Sequence, residues 1–184
     1  MNPDPATRTG IRRIVRAVKR LTSMPVLERH FLRARPTDAT AVILGPQGVP
    51  FDAYPTADRD RMFALVRSLT VPTLGVCGGH QAMVLAYGGA IGPVDGGVAR
   101  GDYSEHRKYT GEQTIHLSDE LFNGAGRFVV SHVEGATTVP SGLRVIGTSD
   151  YCAVQAVRVV GEPKWGVQFH PELGGDGWRS CLPF

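Results

Sequence analysis

Apolar residues near the N-terminus recur at the spacing of one helix face. Ile11, Ile14, Val15, Val18 and Leu21 fall at positions i, i+3, i+4, i+7 and i+10, and arginines and lysines fill most positions between them. This pattern predicts an amphipathic helix from residue 10 onward. The preceding residues are polar and contain two prolines, which predicts a flexible tail over residues 1–9.

The next part of the chain alternates between strand-like and helix-like segments. Apolar runs predict strands at 25–31, 39–44 and 72–76, whereas apolar residues at helical spacing predict helices at 58–69 and 81–87. The run at 39–44 ends in the turn-rich residues 45–50. This alternation predicts an α/β domain with a mostly parallel central sheet, helices on its faces and functional loops at the strand carboxyl ends.

The second half of the chain is rich in short β candidates. Gly, Pro and Asn separate five of them, at 113–116, 127–132, 143–148, 153–160 and 165–169. They predict a small antiparallel addition to the sheet. No repeat or long linker divides the chain, so residues 10–184 are expected to form a single domain.

Composition narrows the class of protein. The chain has 184 residues, 42% of them hydrophobic, which is enough for one domain with a buried core. It contains neither an apolar run long enough for a membrane span nor the apolar segment of a signal peptide, so we expect a cytoplasmic protein without membrane association. An odd number of cysteines without a C-x-x-C pair predicts reduced thiols and no metal site; the cysteines are Cys77, Cys152 and Cys181.

Charge is unevenly distributed along the chain. Residues 1–35 carry a net charge of +7 and residues 36–184 a net charge of −4, which together give +3. A basic N-terminal helix fits an acidic partner protein better than nucleic acid as a ligand. A solvated helix face is the commoner explanation of such a pattern.

The sequence GVCGGHQ at residues 75–81 lies between a predicted strand and a predicted helix. A tight strand-to-helix turn lifts one side chain clear of the sheet, and flanking glycines are needed because a Cβ would collide there. Cys77 is at the tip, where a helix N-terminus favours the thiolate and the Gly78 N–H is available to an oxyanion. Taken alone, this motif equally fits a buried structural cysteine.

A thiolate nucleophile needs a base, and the base needs an orienting carboxylate. The sequence QFHPE at residues 168–172 follows the last predicted strand and offers both. Proline restricts the backbone between His170 and Glu172, so the carboxylate can turn back to the imidazole. Taken alone, this pair fits a surface position near a frayed terminus, but together with the elbow it indicates a catalytic triad.

These two motifs resemble the G-x-C-x-G-x-Q and His-Pro-Glu signatures of the class I (triad) glutamine amidotransferases. Residues 87–89 support the same resemblance. The stretch with 130–132, 139–140, 143–145 and 149–150 is most similar to the glutaminase domain of GMP synthase within that family. The resemblance covers residues 39–172. It implies a flavodoxin-like fold.

The resemblance also implies roles for individual residues, without a cofactor or a metal. Cys77 would attack the side-chain amide of L-glutamine to give a γ-glutamyl thioester and ammonia. His170, oriented by Glu172, would protonate the ammonia and then activate water. The backbone N–H groups of Gly78 and Gly45 would form the oxyanion hole. The residues implied to bind the substrate are Gln81, Gly48, His132, Val133 and Glu134.

The chain departs from the family pattern at several places. No strand candidate precedes the first helix, and no helix is predicted after Glu172. Gln47 lengthens the turn that would supply the second oxyanion donor. Val133 and Glu134 stand where relatives of GMP synthase have glycine and aspartate. A trimmed domain of this kind is expected to depend on a partner that covers its open edges.

The sequence therefore predicts a glutaminase subunit that supplies ammonia to a separate synthetase or amidating enzyme, with the basic helix as a docking surface. Two alternatives stay open: a stand-alone hydrolase of γ-glutamyl amides or peptides, and an inactive regulatory or scaffolding subunit.

His80 is expected to be a variable position of the signature rather than a second base. The polar residues 101–109 fit either a surface that faces an acceptor enzyme or a solvated loop.

Overall fold

The computed structural model of the chain describes residues 5–35, 39–95, 107–120 and 123–175. Its first element is helix α1 (Pro5–Leu21), which confirms the predicted amphipathic helix. Ile14 and Ala17 on its apolar face are buried, and the arginines on its other faces are exposed. The predicted flexible tail is wrong over residues 5–9, because the helix already includes them, and residues 1–4 lie outside the described part of the chain.

The strand predicted at 25–31 is not present. Residues 22–30 are irregular and lead into a 3₁₀ turn at Phe31–Arg33. The Leu27 side chain is 66% exposed, so the apolar residues of this segment do not pack as one face of a sheet. Within residues 5–35 the structure contains α1 and this 3₁₀ turn and no strand.

The described residues hold ten strands and two further α-helices. In chain order they are β1 (Val42–Leu44), α2 (Thr56–Ser68), β2 (Thr73–Val76), α3 (Gly78–Ala86), β3 (Ala90–Pro93), β4 (Tyr109–Ser118), β5 (Asn123–His132), β6 (Glu134–Thr138), β7 (Leu143–Ser149), β8 (Cys152–Val159), β9 (Lys164–Val167) and β10 (His170–Gly175). The structure confirms the helices predicted at 58–69 and 81–87, the strands at 39–44 and 72–76 and all five β candidates of the second half. Most of the observed ends lie within a few residues of the predicted ones.

Eight strands form one mixed sheet in the order β1-β2-β9-β8-β7-β4-β5-β10, and β3 pairs with β6 in a separate ribbon. The α/β class is confirmed, but the sheet is not mostly parallel. Two pairings, β1 with β2 and β2 with β9, are parallel, and the other five are antiparallel. The reason is connectivity: α2 provides a crossover between β1 and β2, whereas short turns after β7 and β8 favour antiparallel neighbours.

Helices cover the two faces of this sheet. Ile14 of α1 packs in one apolar cluster with Leu74, Val76, Trp165 and the neighbouring side chains of the antiparallel strands. The other face is covered by α2 and α3, whose Val66, Met83, Val84 and Ala86 pack with apolar residues of β7 and β8. This places the carboxyl ends of β1, β2 and β9 between the two helical layers. None of the helices in the described residues is long and apolar enough to cross a bilayer.

Candidate active site

Cys77 lies in a strained turn between β2 and α3. Its backbone angles are φ 52° and ψ −105°, and it is the one non-glycine residue with a positive φ in the described ranges. A Cβ on Gly75 would come within 2.6 Å of the Gly79 carbonyl, and one on Gly79 within 2.1 Å of the Leu44 oxygen. The two glycines therefore allow the close packing of strand and helix that the predicted elbow requires.

The Cys77 backbone is fixed on both sides of the turn. Its N–H donates to the Val167 carbonyl of β9 at 2.8 Å, and its own carbonyl accepts from the Gln81 N–H at 3.1 Å as the first bond of α3. Cys77 is thus the N-cap of α3, at the positive end of that helix. This position favours a negative charge on the sulfur.

His170 and Glu172 lie together at the start of β10. His170 Nδ1 is 2.8 Å from Glu172 Oε1, and both side chains are buried. Burial by itself would lower the pKa of His170, but hydrogen bonds to Cys77 and Glu172 and the negative charges of both groups raise it to about 10. Because Nδ1 faces Glu172, the ring nitrogen left for Cys77 is Nε2.

Two buried glutamines connect this group to the end of β5. Gln81 Nε2 donates to the Glu134 carbonyl at 2.9 Å and to Gln168 Oε1 at 3.3 Å. Gln168 Nε2 in turn donates to Cys77 Sγ at 3.7 Å. No role is predicted for Gln168 from its place beside the His-Pro-Glu motif, because nothing in the sequence fixes the direction of its amide.

His132 closes the site on the side of β5. Its Nδ1 is 2.9 Å from the Glu134 carbonyl, and since a carbonyl only accepts, Nδ1 carries the proton. Burial lowers the pKa of His132 to about 4, against the effect of this hydrogen bond, and the nearby charge of His170 lowers it further. The neutral ring leaves its buried Nε2 without a partner among the described residues.

The loop after β1 approaches the residue that follows Cys77. A Cβ on Gly78 would lie 2.6 Å from the backbone nitrogen of Gln47. The backbone N–H of Gln47 is therefore the loop N–H group that lies against Gly78. Gly45, which was predicted as an oxyanion donor, lies under α1: a Cβ there would come within 2.1 Å of the Ile11 side chain. Gly48 is exposed farther along the loop.

A sequence profile of the family "Glutamine amidotransferase class-I" matches residues 12–179. This chain belongs to that family. It is 34% identical over 130 residues to one subunit of the glutamine-hydrolysing GMP synthase of Archaeoglobus fulgidus, and the alignment covers 68% of this chain and 66% of the relative. The chain thus spans just under two thirds of that relative's length. The predicted similarity to GMP synthase is confirmed.

Solved structures show the same fold. A Thermoplasma acidophilum structure, provisionally assigned as one of the GMP synthase subunits, has a TM-score of 0.73 at 15% identity and covers 92% of this chain and 83% of its own. A glutamine amidotransferase from Thermotoga maritima has a TM-score of 0.66 at 16% identity, with 94% and 74% coverage. The predicted amidotransferase fold is therefore confirmed.

Helix α1 of this class I amidotransferase packs beside the segment that carries Glu172. A cleft of about 380 Å³ lies between its last turns and the strand that carries Glu172, and its lining residues are Ala17, Arg20, Leu21, Glu172, Leu173 and Gly174. With Ile11 over Gly45, the helix touches both the loop after β1 and the segment of the carboxylate. No pattern in the sequence indicates this contact.

Among the further histidines and cysteines that the structure describes are His80, His116 and Cys152. His80 is wholly buried in α3, and this burial lowers its pKa to about 4. His116 is exposed on β4. Cys152 is a buried free thiol, as predicted. Cys181, His106 and residues 101–106 are not in the described part of the chain, where no cluster of three His, Cys, Asp or Glu side chains is arranged to hold a metal.

Proposed function

We propose that this chain hydrolyses L-glutamine to glutamate and ammonia and supplies the ammonia to a separate synthetase. The observation that carries the proposal is the geometry of Cys77, His170 and Glu172: a cysteine on a strained turn contacts a histidine whose other nitrogen is 2.8 Å from a carboxylate. Family membership and the similarity to one subunit of a glutamine-hydrolysing GMP synthase support it.

The first half of the reaction forms a thioester. Cys77 Sγ attacks the carbon of the glutamine side-chain amide, and the carbonyl oxygen becomes an oxyanion. His170, with a pKa of about 10, holds a proton at neutral pH and gives it to the amide nitrogen. The C–N bond then breaks, so ammonia leaves and the γ-glutamyl group stays on sulfur.

The second half releases glutamate. His170, now neutral, takes a proton from a water molecule as its oxygen attacks the thioester carbon. The C–S bond breaks, glutamate leaves, and Cys77 departs as a thiolate beside the protonated imidazole, which restores the starting state. Glu172 holds the imidazole orientation throughout and balances its positive charge.

Backbone N–H groups would hold the oxyanion, and residues around Cys77 would hold the rest of the substrate. We assign one oxyanion donor to Gly78 and the second to the loop after β1, where Gly45 is implied by the family resemblance and Gln47 lies against Gly78. We assign recognition of the substrate's α-amino and carboxylate groups to Gly48 and to residues 132–134. The Glu134 carbonyl already accepts from His132 and Gln81, so its part is to hold those two side chains.

Labelling by 6-diazo-5-oxo-L-norleucine, with peptide mapping and a glutamate-release assay, tests this function. We expect the label on Cys77. The matched control Cys152→Ala, which removes the other buried thiol of the described residues, should label as wild type does. Release that rises when a synthetase subunit is added supports an ammonia-supplying role. Equal turnover of other γ-glutamyl amides without any partner would instead indicate a stand-alone hydrolase, and neither label nor release under any condition would indicate a scaffold.

A further inference from the structure

The directions of two buried amides are determined by a backbone carbonyl. The Glu134 oxygen can only accept, so the group that Gln81 presents to it at 2.9 Å is the amide nitrogen. The same nitrogen is 3.3 Å from one terminal atom of Gln168, which must then be the Gln168 oxygen. The Gln168 nitrogen is thereby turned toward Cys77, with its N–H groups available to the sulfur at 3.7 Å.

The surroundings of Gln168 make this contact effective. Its side chain is wholly buried and Gln81 is nearly so, so water does not compete for the amide. Its backbone N–H donates to the Gln155 carbonyl at 2.8 Å, which fixes its position between β9 and β10. A hydrogen bond in which one partner is charged is about twice as strong as a neutral one, so this amide favours the anionic form of the sulfur.

We propose that Gln168 is a further catalytic residue, whose amide N–H stabilises the thiolate of Cys77, and that Gln81 is a positioning residue that turns this amide toward the sulfur. The contact bears on both halves of the reaction. It supports the thiolate before attack on the amide, and it supports the sulfur again as the thiolate leaves the γ-glutamyl carbon. The inference rests on the proposed function in taking Cys77 as the nucleophile.

Alkylation of Cys77 by iodoacetamide reads out the thiolate without any use of glutamine. The rate is measured by peptide mass spectrometry from about pH 5 to about pH 10, because only the thiolate reacts. The titratable groups facing Cys77 are His170 directly, with Glu172 and His132 behind it, and all three are kept in every variant. Any shift in the profile therefore belongs to the altered amide.

Gln168→Met keeps a long unbranched side chain and removes the donor. We expect the midpoint of its alkylation profile to rise by about one pH unit, so that alkylation below the midpoint is about tenfold slower. Gln81→Met should shift the midpoint in the same direction by less, since it frees the Gln168 amide to turn. Gln168→Asn, which keeps an amide but withdraws it by one methylene, should also raise the midpoint and serves if Gln168→Met does not fold.

Gln155→Met is the matched control. Gln155 is also wholly buried and its amide nitrogen donates to Ser149 and Tyr151 rather than to Cys77, so its profile should coincide with that of wild type. An unshifted profile in Gln168→Met and Gln168→Asn, or an equal shift in Gln155→Met, would overturn the proposal. A chain that shows the expected shifts but neither binds the glutamine analogue nor releases glutamate would retain this inference and contradict the proposed function.

Discussion

At the scale of single residues, Cys77 has a backbone conformation that costs stability. A non-glycine residue in such a region costs of the order of 1–3 kcal/mol, which the surrounding packing must offset. The strain follows from the turn, not from the sulfur, so alanine at this position keeps it and glycine relieves it. The residue proposed as nucleophile is therefore also a weak point of the fold.

This leads to a prediction about two inactive variants. The free energy of unfolding of Cys77→Gly should exceed that of Cys77→Ala by about 1 kcal/mol, so Cys77→Gly should unfold at a higher denaturant concentration. Glycine is ordinarily the more destabilising of the two residues. Both should lose glutamate release by about a thousandfold or more, since the nucleophile is gone. Urea midpoints and the release assay measure the two effects. A more stable alanine variant would show that the turn is not strained.

Glu172→Gln tests the charge beside His170. The amide keeps the length of the side chain but removes the negative charge, so the pKa of His170 should fall below about 10. We expect glutamate release to decline at a lower pH on the alkaline side than in wild type. At neutral pH, the loss of glutamate release in Glu172→Gln should be about one to two orders of magnitude smaller than the loss in Cys77→Ala. Glu162→Gln, whose carboxylate pairs with Lys164 and Tyr87 instead, is the control and should leave the profile unchanged.

At the scale of elements, two buried histidines make α3 and β5 sensitive to acid. The pKa of His80 and that of His132 are about 4 in the fold, below the ordinary 6.5, chiefly because of burial. The unfolded chain thus binds protons that the fold does not, and the free energy of unfolding should fall as pH drops from 6.5 to about 4. His170 acts in the opposite sense: its stabilisation is fully present below 6.5 and is lost as pH rises through about 10.

His80→Gln tests how the free energy of unfolding depends on pH below 6.5. Removing one of the two buried imidazoles whose pKa is lowered should make the decline in unfolding free energy between pH 6.5 and about pH 4 less steep. Chemical denaturation at several pH values in that range measures the slope. His116→Gln, at an exposed position of β4, should leave it as in wild type. An unchanged slope in His80→Gln would mean that this ring is protonated in the fold.

The sequence could predict elements whose pattern is local. Helix α1 and the strands of the second half have clear periodicity, and the structure contains them. The strand at 25–31 was wrong because an apolar run alone does not guarantee a neighbouring strand, and here Leu27 faces solvent. β3, β6 and β10 were missed because they are short or contain glycine and proline, and pairing with distant residues stabilises them.

The candidate site could be predicted only in part for a related reason. Cys77, His170 and Glu172 belong to contiguous motifs, and the structure brings all three together. The Gln168 contact joins residues from separate parts of the chain: Gln168 lies 91 residues after Cys77 and 87 after Gln81, and Gln81 is held by Glu134, 53 residues farther on. No local sequence pattern indicates such a contact. The contact of Gln47 with Gly78 could not be predicted either, because it depends on the path of the loop after β1.

At the scale of the whole molecule, charge and exposed apolar side chains favour the region of α1 as a docking surface. The arginines of α1 at 12, 13 and 16 are exposed, and Leu21, Met24 and Leu27 beyond them are more than half exposed. Basic residues beside exposed apolar groups fit a partner surface that is acidic with an apolar patch. We infer that a synthetase would bind here, next to the cleft at Glu172.

Charge reversal on α1 tests this surface. The double variant Arg12→Glu, Arg16→Glu should weaken binding to a synthetase subunit by about tenfold or more, through a loss of electrostatic complementarity. Arg59→Glu, Arg61→Glu on α2 changes the net charge equally and should have little effect. Sedimentation or calorimetry at two salt concentrations measures both, and thermal melts check the fold. Equal weakening by the two double variants would point to net charge rather than to α1.

The strained turn at Cys77 finally has a consequence for how this chain is maintained over generations. Glycine at position 77 would relieve the left-handed backbone, so a chain freed from any need for a thiol gains stability from that one replacement. Mutation without selection for activity would therefore tend to remove the cysteine. Its presence in so unfavourable a conformation is an argument for continued selection on chemistry, and against a subunit that serves only as a scaffold.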